Sequence, residues 1–412
     1  MSKISVSESV VRLLVIGNGF DLAHELPTTY YDFLFFCKEV QSLYTSFLLT
    51  SKEDYYHNFL EEWKANEIIK NRLVELYDYR QVFCNGDYVE PDDHEHYWKA
   101  FDELHEMIEN NAWILYFVSK MESNIGTTWI DFETEISLVV KAIEDALECN
   151  QKYASWQDNI QEKNWKLLIE VCKTSFGSMK DFIGSYDNII KTIELLDSHL
   201  EKLIRALEIY LSVFVNEISI ANKCEDITNI KIDRIISFNY TNTFERVYGK
   251  TLTCEYDYVH GKAEFEHSSK TCNMVVGIDE YLNDEAKNTN LEFVAFKKYF
   301  QRIYKSTSTK YLRWVDEMND RDNETLNKKY VIYVFGHSLD VTDKDILRRL
   351  FTCKNASIKI IYYRKSEEDK TNLGKLIKNM VRLIGQDELI RRTSEFNKNI
   401  EFIPQTLKNP KI

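Results

Sequence analysis

Short runs of β-branched and aromatic residues, several with hardly a polar side chain, constrain this chain more than any other feature. They fall at RLLVI (12–16), IDRIISF (232–238), CEYDYV (254–259), NMVVGI (273–278), YVIYVFG (330–336), SIKIIYY (357–363) and EFI (401–403). A strand that is apolar on both faces has to be covered on both faces, which is the signature of a parallel sheet flanked by helices. Helical patterns such as KDILRRLF and LGKLIKNMVRLI lie between the later runs, and Thr342 with Asp345 three residues on reads as a helix start of capping-box type. Residues 28 to 222, by contrast, carry helical periodicity and no convincing strand. The expected fold is therefore α/β: a Rossmann-like, largely parallel sheet with a large all-helical insertion after the first strand. Residues 1–27 and 228–412 form the α/β core in this reading, and 28–227 the helical insertion.

Glycine (12) and proline (4) are scarce, so long uninterrupted helices are expected. The clearest is at 187–221. Ile189, Ile193, Leu196, Leu200, Leu203, Leu207, Tyr210 and Phe214 recur at spacings of four and three, an apolar seam of heptad type. Two readings stand: an antiparallel helical hairpin packed within the chain, or a homo-oligomeric coiled coil through this helix. The net charge of −14 argues against a generic nucleic-acid coat, which needs a basic surface. The eight cysteines form no C-x-x-C pair, so no zinc ribbon is indicated, and scattered single thiols suit a reducing cytoplasm. No signal-peptide core and no apolar stretch long enough for a bilayer are seen, so the expectation is a cytoplasmic protein with no membrane segment.

Ligands of open α/β sheets bind beyond the carboxyl ends of the strands. Five of the runs here end on polar or glycine-rich segments: Gly17-Asn18-Gly19-Phe20-Asp21, Asn239-Tyr240-Thr241-Asn242, His260-Gly261, Gly277-Ile278-Asp279 and Gly336-His337-Ser338-Leu339-Asp340. Five such ends on one edge suggest a crevice that takes a nucleotide. Each also has a plainer reading. Gly17 and Gly19 make a tight turn without the third glycine of G-x-G-x-x-G, since Leu22 stands there. Read as ligand contacts, the glycines allow a phosphate or ribose to approach the backbone. Asp21 suits a ribose hydroxyl or developing positive charge. Asn239 is a ligand contact or a helix cap. His260 is a proton acceptor or a satisfied loop histidine. Gly336, His337 and Ser338 offer N–H and hydroxyl groups to phosphate or ribose oxygens, or simply turn the chain.

Two acidic clusters remain. Trp129-Ile130-Asp131-Phe132-Glu133-Thr134-Glu135 opens an amphipathic helix, where acids favour the helix dipole. Asp131 and Glu135 share a face and are also candidates for the crevice. Asp92-Asp93-His94-Glu95-His96 offers metal-ligand types but reads as a polar loop before a helix, and no metal is expected.

The motifs NGFDLAHELPTTYYDF, WIDFE, SFNYTNTFE, VHG, NMVVGID and FGHSLDVTDKDIL, in this order, resemble the AbiH family of bacterial phage abortive-infection proteins. More distantly, the strand-end motifs are similar to those of sirtuin-like NAD-consuming domains. That resemblance implies Asn239 beside the nicotinamide ribose, His260 on the ribose hydroxyls and Ser338 on the adenosine side. Gly17, Asn18, Gly19, Phe20, Thr241, Gly277, Gly336 and His337 would complete the nucleotide contacts. Asn239-Tyr240-Thr241 replaces the Asn-Ile-Asp of deacetylating sirtuins, and their zinc ribbon is missing. Both departures point away from deacetylation and leave hydrolysis of the N-glycosidic bond of NAD as the activity expected here, with Asn239, His260 and Asp21 as the catalytic set and a phage component as trigger. Two other functions compete: a non-catalytic nucleotide sensor signalling through the helical block, and a Mg²⁺-dependent nuclease using Asp21, Asp131, Glu133 and Glu135.

Overall fold

The computed structural model describes residues 9–45, 51–84, 95–123, 130–152, 156–249, 254–279, 291–320 and 328–407. The chain divides into two compact units. Met1–Glu25, Ile220–Lys262 and Ser306–Ile412 form one, and Leu26–Ser219 with Ala263–Lys305 form the other. The segment 263–305, which the sequence pattern assigns to the α/β core, thus joins the helical unit.

Among the described residues the first unit holds six strands: β1 (Ser9–Ile16), β2 (Arg234–Ser237), β3 (Glu255–Tyr258), β4 (Lys328–Phe335), β5 (Ala356–Tyr362) and β6 (Ile400–Pro404). All pairs are parallel and the order is β3-β2-β1-β4-β5-β6. This is a doubly wound, Rossmann-like α/β sheet, and its strand order reverses between β1 and β4. Central placement explains why β1 is apolar on both faces. Leu13 and Val15 pack into one core with Trp314, Ile346, Leu350 and Met380, and Leu14 and Ile16 into the opposite core with Phe20, Phe244 and Tyr248. Leaving either set in water would forfeit about 1.5–3 kcal/mol for each side chain.

NMVVGI is not a strand of this sheet. It belongs to the helical unit, where Ile278 makes one isolated bridge to Lys297. Met274, Val275 and Val276 are fully buried, so the run is apolar because it is packed rather than because it is paired. Its backbone is satisfied by side chains: Val276 N–H donates to Gln301 Oε1 (3.1 Å), Gln301 Nε2 donates to Val276 O (3.0 Å), and Lys305 Nζ donates to Met274 O (2.9 Å). A short apolar run cannot reveal which of the two it is.

In the helical unit the longest helix spans Tyr186–Ile209 and passes into a π-helical turn at Tyr210–Phe214. Ser185 caps its start, accepting from Asn188 N–H. All eight seam residues are buried within the chain. The helices Glu95–Ile108, Ala112–Ser123 and Phe132–Lys152 pack on this helix, and Trp113 Nε1 donates to Leu196 O at 2.9 Å. The seam that offered itself to a second copy is therefore already covered. The same helix buries a charged group: Arg205 donates to both oxygens of Glu103 (2.8 and 3.2 Å) and to Glu208 Oε2 (2.6 Å), while His267 Nδ1 lies 2.6 Å from Glu208 Oε1. Among the described residues no helix is long and apolar enough to cross a membrane.

Candidate functional site

The turns after β1 and β4 are built against each other. Gly17 N–H donates to Phe335 O (3.2 Å) and Gly19 N–H to Gly336 O (2.8 Å). A Cβ on Gly19 would stand 2.7 Å from Gly336 Cα, and one on Gly17 2.7 Å from His337 Cα. Gly336 has φ +69°, and a Cβ there would lie 2.2 Å from Phe20 N. The sequence pattern suggests that these glycines admit a phosphate or ribose. The chain's own backbone uses that space, because adjacent parallel strands at the switch point bring their two exit turns into contact. Phe20 is a core side chain, and Asn18 is exposed.

The short helix Asn18–Ala23 places Asp21 in the interior, 1% exposed. Thr241, at the exit of β2, donates its hydroxyl to Asp21 Oδ2 (2.7 Å), and Thr243 donates to Thr241 Oγ1 (3.1 Å). Burial pushes the Asp21 carboxyl up to about 6, although Thr241, Thr243, Asn239 and the charge of Arg246 all favour its ionised form. Asn239 is held by a turn in which Ser237 Oγ donates to Asn239 O (2.9 Å) and Asn239 N–H donates to Ser237 Oγ (3.2 Å). It does not cap the next helix: that position is Asn242, before Thr243–Tyr248. Asp21 Oδ1 and Asn239 Nδ2 are both buried with no hydrogen bond of normal geometry. An acceptor and a donor left open in the same small group of side chains is unusual, since buried polar atoms are nearly always satisfied.

Phe238, just before Asn239, stands edge-on to two histidines, with ring centroids 5.3 Å from His260 and 4.4 Å from His337. His260 follows β3 and His337 follows β4. Both are buried and both face one carboxylate: His260 Nε2 is 3.1 Å from Asp343 Oδ1, and His337 Nε2 is 3.4 Å from Asp343 Oδ2. Leu339 N–H donates to His337 Nδ1 at 2.9 Å. Tyr240 lies farther out, its ring 6.5 Å from that of His260. Ser338 is exposed; its hydroxyl accepts from Asp340 N–H (3.3 Å) and its carbonyl from Asn379 Nδ2 (3.0 Å). The exits of β3, β2, β1 and β4 thus bring Asp21, Asn239 and Thr241 together, and His260 together with His337. Gly277 belongs to the helical unit, where a Cβ would lie 2.4 Å from Phe296 O.

The family profile described as "Bacteriophage abortive infection AbiH" matches residues 13–363. The chain belongs to the AbiH family. Membership supports a role in abortive infection by bacteriophage. No curated protein and no solved structure matches the chain.

Within the AbiH match, the conspicuous acids of the helical unit have structural partners. Asp131 caps the helix Phe132–Lys152, accepting from the N–H groups of Glu133 (3.0 Å) and Thr134 (3.3 Å). Glu133 pairs with the buried Lys298 at 2.7 Å, and Glu135 accepts from the Tyr116 hydroxyl at 2.7 Å. Among the described residues no group of three His, Cys, Asp or Glu is arranged to hold a metal ion. Trp129, Asp92, Asp93 and His94 lie outside the described residues; His96 is exposed against Tyr97. His24 of the NGFDLAH motif is a core group of the α/β unit, 2.7 Å from Phe20 O and 3.0 Å from the Tyr248 hydroxyl.

Asp343 does not stand out in the sequence. The pattern places the start of the following helix at Thr342, but the first cap is Asp340, which accepts from Thr342 N–H (3.3 Å) and opens a 3₁₀ turn at Val341–Asp343 before the helix Lys344–Phe351. The only signal is an aspartate at a helix start, which ordinarily means a cap and nothing more.

Proposed function

We propose that the α/β unit of this AbiH protein binds NAD and hydrolyses its nicotinamide–ribose bond, depleting the cofactor in an infected cell once a phage component triggers it. One observation carries the reading: unsatisfied, buried polar groups and two histidines gather at the exits of neighbouring parallel strands, at the point where strand order reverses. That is where doubly wound sheets bind nucleotides.

The reaction consumes NAD⁺ and water and yields nicotinamide, ADP-ribose and a proton. Nicotinamide leaves as a neutral molecule, so no acid is needed to protonate it. Positive charge builds on the ribose, as in other glycoside cleavages. In this reading the Asp21 carboxylate stabilises that charge. Asn239 orients the attacking water or the ribose 2′-hydroxyl, and His260 takes the proton that water loses. His337, Ser338 and Asn18 meet the rest of the dinucleotide. No step calls for a metal ion.

The test is direct. Purified protein, alone and with lysate of phage-infected cells, is incubated with NAD and the products resolved by mass spectrometry. Release of nicotinamide and ADP-ribose is expected, reduced by about 10²-fold or more in His260→Ala and Asn239→Ala. No release under any trigger, or release that survives both substitutions, would refute the proposal.

A further inference from the structure

The last strand of the sheet carries an inference about assembly. β6 pairs with β5 on one side, and among the described residues no strand pairs with it on the other. The direction of its backbone groups follows from the register. Ile358 pairs with Ile400 and Tyr362 with Pro404. Ile358 N–H donates to Asn399 O (2.7 Å), and Gln405 N–H donates to Tyr362 O (2.8 Å). In a parallel ladder alternate residues of a strand bond to the same neighbour. Residues 399, 401, 403 and 405 therefore face β5. The N–H and C=O groups of Ile400 and Phe402, and the C=O of Pro404, point outward from the edge. Such a row is a template for another strand unless charge or proline blunts it. In β6 the charge is Glu401 alone, and the proline stands at the very end.

The helix beside this edge is apolar beyond what one chain covers. Helix Thr371–Ile384 packs on the sheet through Leu376, Met380 and Leu383, in the same core as Ile400. Asn379 Nδ2 donates to Ser338 O, beyond β4, at 3.0 Å. That side of the helix is turned to β4, and the strand order puts the opposite side toward β6. Ile377 and Val381 lie on that opposite side, one turn apart, and both are exposed. Gly374 continues the strip, and a Cβ there would meet nothing within 4 Å, so packing within one chain gives no reason for a residue that weakens a helix. Ile390 and Phe396, in the stretch leading into β6, are exposed too, Phe396 to 96%.

We propose that β6 pairs antiparallel with β6 of a second copy, about a two-fold axis at Phe402, and that the two Ile377–Val381 strips close over the joined sheet. Centred there, Phe402 and the partner's Phe402 exchange both N–H···O bonds, and each Ile400 N–H reaches the partner's Pro404 O. The proline thus serves as an acceptor in the one place where a donor is not available. An axis at Glu401 would also let Ile400 and Phe402 bond, but it sets Glu401 directly against the partner's Glu401, and opposed like charges destabilise a pair. Glu401 selects the register: centred at Phe402, it stands opposite the partner's Ile403. The contact is isologous and closed, so it ends at a dimer. It draws on neither the strand-exit site nor its proposed chemistry.

The mass of the full chain in solution is measured by light scattering and sedimentation over a concentration series. The mass of two chains is expected. Ile377→Lys with Val381→Lys, both at exposed positions, is expected to weaken the dimer by about 10-fold or more. Phe402→Cys tests the register. Its Cα should lie about 5.5 Å from its mate across the axis, within reach of a disulfide, so mild oxidation should yield a covalent dimer that the wild-type cysteines do not give. Glu401→Cys, opposite Ile403 instead of itself, should not cross-link. A wild type that stays a single chain up to about 0.1 mM overturns the proposal, and leaves the edge for a strand of some other protein. So does a dimer that keeps its affinity in the lysine variant, or one that cross-links through Glu401→Cys and not through Phe402→Cys. If Phe402→Cys does not fold, the wild-type mass and the lysine variant decide.

Discussion

Asp21→Asn is expected to stabilise the α/β unit while abolishing its chemistry. Asp21 is buried, and its carboxyl is raised from 3.8 to about 6 by desolvation. A shift of that size corresponds to about 3 kcal/mol, at 1.36 kcal/mol for each pH unit. Between those two values the folded chain holds a proton that the unfolded chain has released. Stability therefore falls as pH rises through the window, and the full penalty is present above about pH 6. Asparagine carries no charge and keeps an oxygen for the Thr241 hydroxyl, so it escapes that penalty. The difference between variant and wild type should be small near pH 4 and grow by about 3 kcal/mol by pH 7. A chain of two units has no single unfolding free energy, so amide exchange in β1 and β4 reports on the relevant unit, and the ¹³C titration of the Asp21 carboxyl reports on the group itself. A stability difference that does not change with pH, or a carboxyl titrating near 4, would refute the argument. If ionised Asp21 supports the cation, nicotinamide release should rise with pH through about 6 in the wild type and be lost in the variant.

The packing leads to two further expected outcomes. Gly336→Ala places a Cβ against Phe20 N at φ +69°; it should destabilise by more than the roughly 1–2 kcal/mol of the left-handed backbone alone, seen as a lowered thermal midpoint. Asp131→Ala removes the cap of the helix Phe132–Lys152 and should cost about 0.5–2 kcal/mol while leaving nicotinamide release intact; metal-dependent nucleic-acid cleavage lost in this variant would instead favour a nuclease.

The class of fold is legible in the chain's own pattern. Runs such as RLLVI and SIKIIYY need cover on both faces, and only helices on both sides of a parallel sheet supply it. The placement of Asp21, Asn239 and His260 at strand exits is legible too, because polar residues that follow apolar strands stand out locally. The rest depends on contacts between distant segments. Whether NMVVGI pairs in a sheet or packs beside Gln301 depends on what surrounds it, which its own periodicity does not encode. The glycines of the first turn are required by a turn more than 300 residues away, a contact that exists only because β1 and β4 are neighbours. Asp343 reads as a helix cap until the strand order brings the exits of β3 and β4 within reach of one carboxylate. Local pattern records how deeply a residue is buried, whereas strand order records against what, and the chemistry of a site depends on the second.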